Sequence, residues 1–345
     1  MERYRRWISA GHSAGMAYLS NARGMSARAQ PELLLPGLRS IVVLAYPYQP
    51  SAQSLVPAAG FGQVAAYALY PDYHDFLLEK CTRLAKWMED AHGRPLKWKV
   101  CIDSSPLLER ALGVRTGFGW IGRNTSLISA RIGSFFWLAE ILTDLPWEAS
   151  PPLQTDRCGT CRRCVDACPT GCLLPDRSMD AGRCLSYLTI ENRAPIPPHL
   201  RPLLGDRVFG CDICQQVCPW NRSCAVTSKA HADPAPVLPA QVDLLAELQH
   251  TPETFKARYR GLPIWRAKYE GWMRNLLIAA GNQRLPGAEP IALRLLEQSG
   301  SSVVRGQAAW TLGVLDSPEC RKHLSGVLQH ETDPAVREEI RQALT

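Results

Sequence analysis

Eight cysteines crowd into residues 158–218: Cys158, Cys161, Cys164 and Cys168, then Cys184, Cys211, Cys214 and Cys218. The first four spell C-x-x-C-x-x-C-x-x-x-C-P, a run in which three thiolates hold one 4Fe-4S cluster and the fourth crosses to a second. The second set repeats that ending as Cys211, Cys214, Cys218 and Pro219, with its first ligand displaced upstream to Cys184. Crossing predicts one cluster on Cys158, Cys161, Cys164 and Cys218 and another on Cys168, Cys184, Cys211 and Cys214. Low-potential electron transfer is the chemistry such a pair performs. The segment between Cys184 and Cys211, containing SYLTIENRAPIPPHL, is an insertion placed to touch another cofactor or a substrate.

Two other uses of cysteine fit less well. Zinc sites close on four ligands in C-x-x-C pairs, whereas here the third cysteine follows after two residues and both runs end in Cys-Pro. Disulfides need an oxidising compartment, but the opening MERYRRWISAGHSAGM has no long apolar core and no clear cleavage site. A reduced cytoplasm is expected. Cys81, Cys101, Cys172, Cys224 and Cys320 lack ligand spacing and are expected to act as small buried hydrophobes.

The elements that must carry these ligands come from a chain of 345 residues, 46% hydrophobic and 21% charged, enough for two or three domains. No apolar stretch approaches the roughly 20 residues that cross a bilayer, so no membrane partner is expected. A net charge of +7 carried mostly by arginine suits a polyanionic partner. Residues 1–150 mix strand and helix signals as an α/β domain does. The apolar run in 38–48 predicts a strand buried on both faces. Residues 76–92 carry apolar side chains at helical spacing, with Asp72 or Asp75 as a cap, and 97–102 alternates as a strand ending at Asp103. Residues 125–129 and 134–142 read as paired strands around a turn at Arg131 and Gly133.

Gly117, Gly119 and Gly122 match a dinucleotide fingerprint by letters alone, yet the preceding PLLERALGVRT reads as helix rather than strand. A double-cluster module is expected over 151–224 and a linker over 225–246, where prolines and alanines accumulate. Beyond it, 304–312 and 336–344 superpose at a fixed offset and 273–281 is a looser copy, the mark of a short helical repeat array over 247–345. Lys256, Arg258, Arg260, Arg266, Lys268 and Arg274 interleave with Phe255, Tyr259, Trp265, Tyr269 and Trp272. That mixture suits RNA with unstacked bases, or else a solvated face over an aromatic core stripe. Arg266, Lys268 and Arg274, with Arg305 at the head of the next copy, are the candidate nucleic-acid contacts.

The segments CGTCRRCVDACPTGCL, RCLSYLTIENR and FGCDICQQVCPWNR, followed by the repeats, resemble the epoxyqueuosine reductase family from about residue 5 onward. The resemblance implies an α/β cobalamin-binding domain, a bacterial-ferredoxin-like double 4Fe-4S module and C-terminal all-α HEAT-like repeats. It also implies two 4Fe-4S clusters, cobalamin, and a tRNA substrate carrying epoxyqueuosine at the wobble position, which is reduced to queuosine. Members of the family bind cobalamin without a histidine ligand, consistent with Asp72-Tyr73-His74 lacking the glycine of the D-x-H-x-x-G signature. Ile102-Asp103-Ser104 resembles the family's motif for its catalytic acid, so Asp103 takes that role. The cobalamin shell would comprise Arg28, the backbone of Leu127, Ile128 and Ser129, Leu138, Ser186 and Asp212. Relatives carry a further strand and helix before the segment matching RRWISAGHSAGMAYL, so this chain is expected to start late.

Turning an epoxide into an alkene takes two electrons and removes oxygen as water, which no side chain does unaided. A proton donor at Asp103 needs a raised pKa, and burial in a dry pocket is the expected means. An external ferredoxin- or flavodoxin-type donor would feed the clusters of a monomeric protein. Two alternatives remain at this stage: a reductive-dehalogenase-like enzyme for a small molecule, and a non-enzymatic electron-transfer protein docked through its repeats.

Overall fold

Adjacent β-branched residues at Ile41, Val42 and Val43 favour an extended backbone, and the strand they form, Ser40–Pro47, pairs antiparallel with Phe136–Thr143. Phe136–Thr143 is the centre of a three-stranded sheet, with Trp98–Cys101 on its other edge. The computed structural model describes residues 1–49, 59–152, 155–223 and 234–345. These fall into two units, each assembled from separate stretches of chain. One comprises Met1–Pro50, Tyr70–Gly182 and Asp212–Pro236; the other comprises Ser51–Leu69, Arg183–Cys211 and Val237–Thr345.

In the first unit the strand Ser40–Pro47 is half-buried along its whole length. This corrects the expectation of burial on both faces: it is an edge strand of an antiparallel sheet, and the buried alternation lies in Phe136–Thr143. The helix Tyr73–His92 is capped by Asp72, whose side chain accepts from His74 N, and ends on Gly93 at φ 70°. Leu127–Ile128 pairs with Trp120–Ile121 rather than with the neighbouring long strand. The turn at 129–133 is closed by a bridge between Ser129 and Gly133. The glycine run follows the helix Glu109–Arg115 and opens a strand, so the nicotinamide fingerprint is a coincidence of letters. Its middle glycine has a different purpose: a Cβ on Gly119 would lie 2.1 Å from Ile128 O, so only glycine lets this hairpin close.

The second unit holds the helices Lys268–Asn282, Ala288–Gln298, Ser302–Leu315, Pro318–Leu328 and Pro334–Leu344. Sharp starts are written into the last two as Ser317-Pro318 and Asp333-Pro334, with Ser317 accepting from Cys320 N and Asp333 from Ala335 N and Val336 N. Small residues let successive helices touch: a Cβ on Gly313 would sit 2.7 Å from the Ala343 Cβ. The helix Lys268–Asn282 is buried continuously from Gly271 to Gly281, as befits an inner helix of such an array. A small sheet in this unit carries Phe61–Val64 between Arg207–Phe209 and Gln241–Asp243.

Candidate active site

Short helices at Arg163–Asp166 and Pro219–Ser223, with the hairpin 120–128, bring cysteines from both ends of the motif together. Cys158, Cys161, Cys164 and Cys218 line one cavity of about 330 Å3 with Arg123, Arg157, Arg163 and Trp220. This is the crossed set that spacing predicts for the first cluster. One wall is apolar, with Trp120, Ile128 and Cys218 buried together and Cys158 and Trp220 packed on them. Burial, then neighbouring Cys158 and Cys218, push the Cys164 thiol up to about 11. Such thiols ionise readily only with metal to compensate them.

The cavity fits a polynuclear group better than one ion. Among the described residues, no three His, Cys, Asp or Glu side chains converge tightly enough to hold a single metal. The Nε–H of Arg123, which lines the cavity, and that of Trp120 in the adjoining wall are buried donors without an acceptor. Sulfide edges of a cluster would supply acceptors there.

The other four cysteines are divided: Cys168 and Cys214 lie in the first unit, Cys184 and Cys211 in the second. Cys184 caps the helix Leu185–Ile190, and Cys211 packs on the core of Leu185, Leu188, Ile196, Leu200, Leu204 and Ile278. Cys168 Sγ lies 3.5 Å from Cys172 Sγ, and that contact draws the Cys168 thiol down to about 5. Cys81, Cys101, Cys172 and Cys320 are buried, as expected of structural cysteines, while Cys224 lies outside the described residues.

Asp103 occupies the loop after the strand Trp98–Cys101 at φ 49°, a left-handed backbone uncommon outside glycine. Two contacts hold the loop there: Tyr73 Oη donates to Asp103 Oδ2 at 2.8 Å, and Asp103 N donates to Glu109 Oε1 at 2.7 Å. His74 Nε2 lies 3.7 Å from Asp103 Oδ2, and its Nδ1 is 2.7 Å from Asp72 Oδ1. Flanked by Asp103 and Asp72, the imidazole is pushed up to about 9, so it is cationic at neutral pH. The Asp103 side chain is 54% exposed. The loop sets this carboxylate against a tyrosine and an imidazolium rather than in the protein core.

The buried acids lie beneath it. Glu140 is wholly buried in the central strand, and among the described residues the only group its carboxyl can share a hydrogen bond with is the Glu109 carboxyl. Burial first, then the adjoining Glu109, raises its pKa; burial, then Asp103, raises that of Glu109. One proton between the two carboxyls relieves both. Sequence reasoning missed Tyr73, His74, Glu109 and Glu140 as site residues, although a lone carboxylate inside the apolar run SFFWLAEIL was a readable signal for Glu140.

Along the same strand face, two and four residues before Glu140, Leu138 and Phe136 are half-exposed, and Phe118 meets Phe136 edge-on at 5.3 Å. The half-open apolar edge contains no histidine, and His74 is committed to carboxylates. This chemistry fits a broad organic ring held without a side-chain metal ligand. Leu127, Ile128 and Ser129 are buried in the hairpin, with Ser129 N donating to Gly133 O at 2.7 Å. Arg28 ends a short helix with its guanidinium 5.3 Å from the Tyr4 ring centroid. Asp212 is buried at the start of the helix Ile213–Gln216, while Ser186 lies in the helix Leu185–Ile190 of the other unit.

One of the candidate nucleic-acid contacts is interior and another is half-buried. Arg274 is 1% exposed and donates to the carbonyls of Asn192, Ala194 and Leu188 at 2.7–3.0 Å. Arg305 is held by Glu331 at 2.7 Å and by Ser299 O at 2.9 Å. The Arg274 assignment is corrected: its carbonyl partners lie 80 or more residues away in the insertion and take up its guanidinium donors. Phe255, Tyr259 and Trp272 are likewise fully buried, the aromatic core stripe rather than a stacking platform. Arg266 and Lys268 do reach the surface, Arg266 paired with Glu191 and Lys268 4.7 Å from the Trp265 ring centroid.

A paired-thiolate cavity, an α/β sheet bearing an acid loop and a helical repeat array define an iron–sulfur oxidoreductase built on HEAT repeats. Family models agree segment by segment: "Epoxyqueuosine reductase QueG, DUF1730" over residues 28–104, "4Fe-4S double cluster binding domain" over 157–221 and "HEAT repeats" over 273–345. The epoxyqueuosine reductase of Pseudomonas aeruginosa is 37% identical over 89% of this chain and 85% of its own length. That of Escherichia coli is 34% identical over 89% and 80%. A solved epoxyqueuosine reductase holding an epoxyqueuosine-modified tRNA-Tyr stem loop superposes with a TM-score of 0.90 at 30% identity, covering 99% of this chain and 90% of that one. The Bacillus subtilis enzyme, solved with a catalytic aspartate loop swung out of its active site, gives 0.88 at 29% over the same shares. The chain belongs to the epoxyqueuosine reductase family.

Proposed function

We propose that this protein reduces epoxyqueuosine in tRNA to queuosine, passing electrons through two 4Fe-4S clusters to cobalamin. The observation that carries the proposal is the cavity of Cys158, Cys161, Cys164 and Cys218 in a chain that shares nearly its whole fold with a reductase solved on the modified stem loop. The reaction takes up two electrons and two protons, breaks the carbon–oxygen bonds of the epoxide and releases water. Bound cobalamin supplies the low-valent metal that such bond cleavage needs. Leu138, the backbone 127–129, Arg28, Ser186 and Asp212 would hold it.

The chain's own part is positioning and proton supply. Asp103 delivers a proton to the departing oxygen, and Tyr73 and the His74 imidazolium hold and stabilise the carboxylate that remains. Glu109 fixes the loop through Asp103 N. A relative captured with its aspartate loop displaced supports a loop that opens and closes around substrate. The second cluster is assigned to Cys168, Cys184, Cys211 and Cys214 on spacing. Arg266 and Lys268 are the surface cations retained as tRNA contacts. The donor is a ferredoxin- or flavodoxin-type carrier and the protein acts as a monomer in the cytoplasm; among the described residues no helix is long and apolar enough to cross a membrane.

Anaerobic reconstitution with iron, sulfide and cobalamin, followed by nucleoside analysis of epoxyqueuosine-tRNA, tests this function. Queuosine is the expected product. A fully loaded protein that leaves epoxyqueuosine untouched under a low-potential reductant contradicts it.

A further inference from the structure

The cavity over the first four thiols has two unlike sides. Buried Trp120 and Ile128 form one, and arginines form the other. Arg157, Arg162 and Arg163 are exposed, and Arg123 is half-buried with its guanidinium donating to Gly159 O at 2.9 Å. Nearby acids do not cancel this charge. Asp156 is committed to Arg177, and Asp166 to Arg162 at 3.4 Å. Among the described residues no acidic side chain pairs with Arg157 or Arg163, so two exposed cations stand at the mouth. Beside them Trp220 is half-exposed and stands edge-on to Trp120 at 5.0 Å.

A cluster on four thiolates is itself anionic and offsets part of this charge, but Arg157 and Arg163 remain exposed, and exposed cations at a cleft draw a partner of opposite charge. Arginine and tryptophan side by side are also the residue types that anchor protein interfaces. An electron carrier must bring its own redox group close to a cluster, and this face is where the first thiolate set meets solvent.

We infer that the arginine-rimmed mouth formed by Arg157, Arg163, Arg123 and Trp220 is the docking face for an acidic one-electron carrier protein. The inference rests on the cluster assignment above and names the partner's entry point. Transfer is one electron from the reduced carrier to the oxidised cluster, with no bond made or broken. Charge complementarity would set the encounter rate more than the affinity, so its signature is kinetic.

The test follows bleaching of the cluster absorption by anaerobic stopped flow, mixing the cluster-loaded full chain with a reduced acidic flavodoxin. The second-order rate for the natural sequence should fall by about 10-fold or more from low to moderate salt. Arg157→Gln with Arg163→Gln should lose about 10-fold at low salt and flatten that dependence. The paired lysine substitutions should restore the rate, and bleaching by the small methyl viologen radical should not change. A double glutamine variant with the natural rate and salt dependence overturns the inference. So does an equal loss with methyl viologen, or weaker binding of a tRNA stem loop with flavodoxin bleaching intact, which would make this an RNA face. Hydrogen exchange on the unaltered protein gives a second measurement if the variant loads poorly: flavodoxin should protect 155–166 and 219–222, and protection confined elsewhere refutes the site. Absence of any bleachable chromophore in the natural protein would instead remove the cluster assignment itself.

Discussion

Asp103 accepts a hydrogen bond from the Tyr73 phenol and lies 3.7 Å from His74 Nε2, the contacts that position it. Asp103→Asn should lower turnover by about 100-fold to 10,000-fold while leaving cluster spectra unchanged, measured by single-turnover nucleoside analysis. Natural turnover in that variant removes Asp103 from the chemistry. Glu140 gives a separate signature in stability. Its pKa is raised in the folded state, so folding takes up a proton and stability falls as pH rises above the ordinary carboxylate range. His74 acts in the same direction: with a folded value of about 9, its stabilisation is complete below about 6.5 and is lost as pH rises through about 9. Glu140→Gln should therefore melt higher than the natural protein at pH 8, with the gain shrinking toward pH 5. An equal shift at both pH values would show that Glu140 is not protonated on folding. The place of Asp103 just after a strand was legible, and its role rests on the family-like motif. Its neighbours Tyr73, Glu109 and Glu140 were not, since they come together only through the packing of two helices and two strands.

At the scale of elements, the insertion between Cys184 and Cys211 is stapled from within by the helix Lys268–Asn282. Arg274 binds three of its carbonyls, and Asn275 Nδ2 donates to Thr189 O at 2.8 Å and Val208 O at 2.9 Å. Thr189 Oγ1 in turn accepts from Gly210 N at 2.9 Å, immediately before Cys211. Two predicted cluster ligands thus flank a segment whose backbone is fixed by one repeat helix. Arg274→Met should destabilise the protein by about 3–5 kcal/mol, because three buried acceptors lose a charged donor. In denaturant melts the variant should show that loss, while the salt dependence of tRNA binding stays unchanged; a changed salt slope with unchanged stability would return Arg274 to the RNA surface. Helices here were legible from apolar spacing, caps and the repeat offset. Charge could not reveal which arginines face inward, since Arg274 and Arg266 stand eight residues apart in the same basic stretch.

Across the whole molecule, the chain combines a helical repeat array, a double-cluster cysteine module and an acid-bearing loop that follows a sheet strand. Charge reversal at Arg266 and Lys268 should reduce the salt slope of tRNA binding, read from affinity at low and moderate ionic strength. An unaltered slope would place the RNA elsewhere. Cluster ligands were the most legible feature because covalent metal chemistry dictates their spacing. The proposed cobalamin residues rest on the family resemblance alone, because backbone and apolar edges leave no fixed pattern of side chains to read.

Metal and acid-labile sulfide analysis of anaerobically prepared protein tests the central claim most directly. The account predicts iron and sulfide in equal amounts, about eight of each per chain for two 4Fe-4S clusters, with roughly half retained when Cys161 is replaced by alanine. Zinc without inorganic sulfide would contradict it.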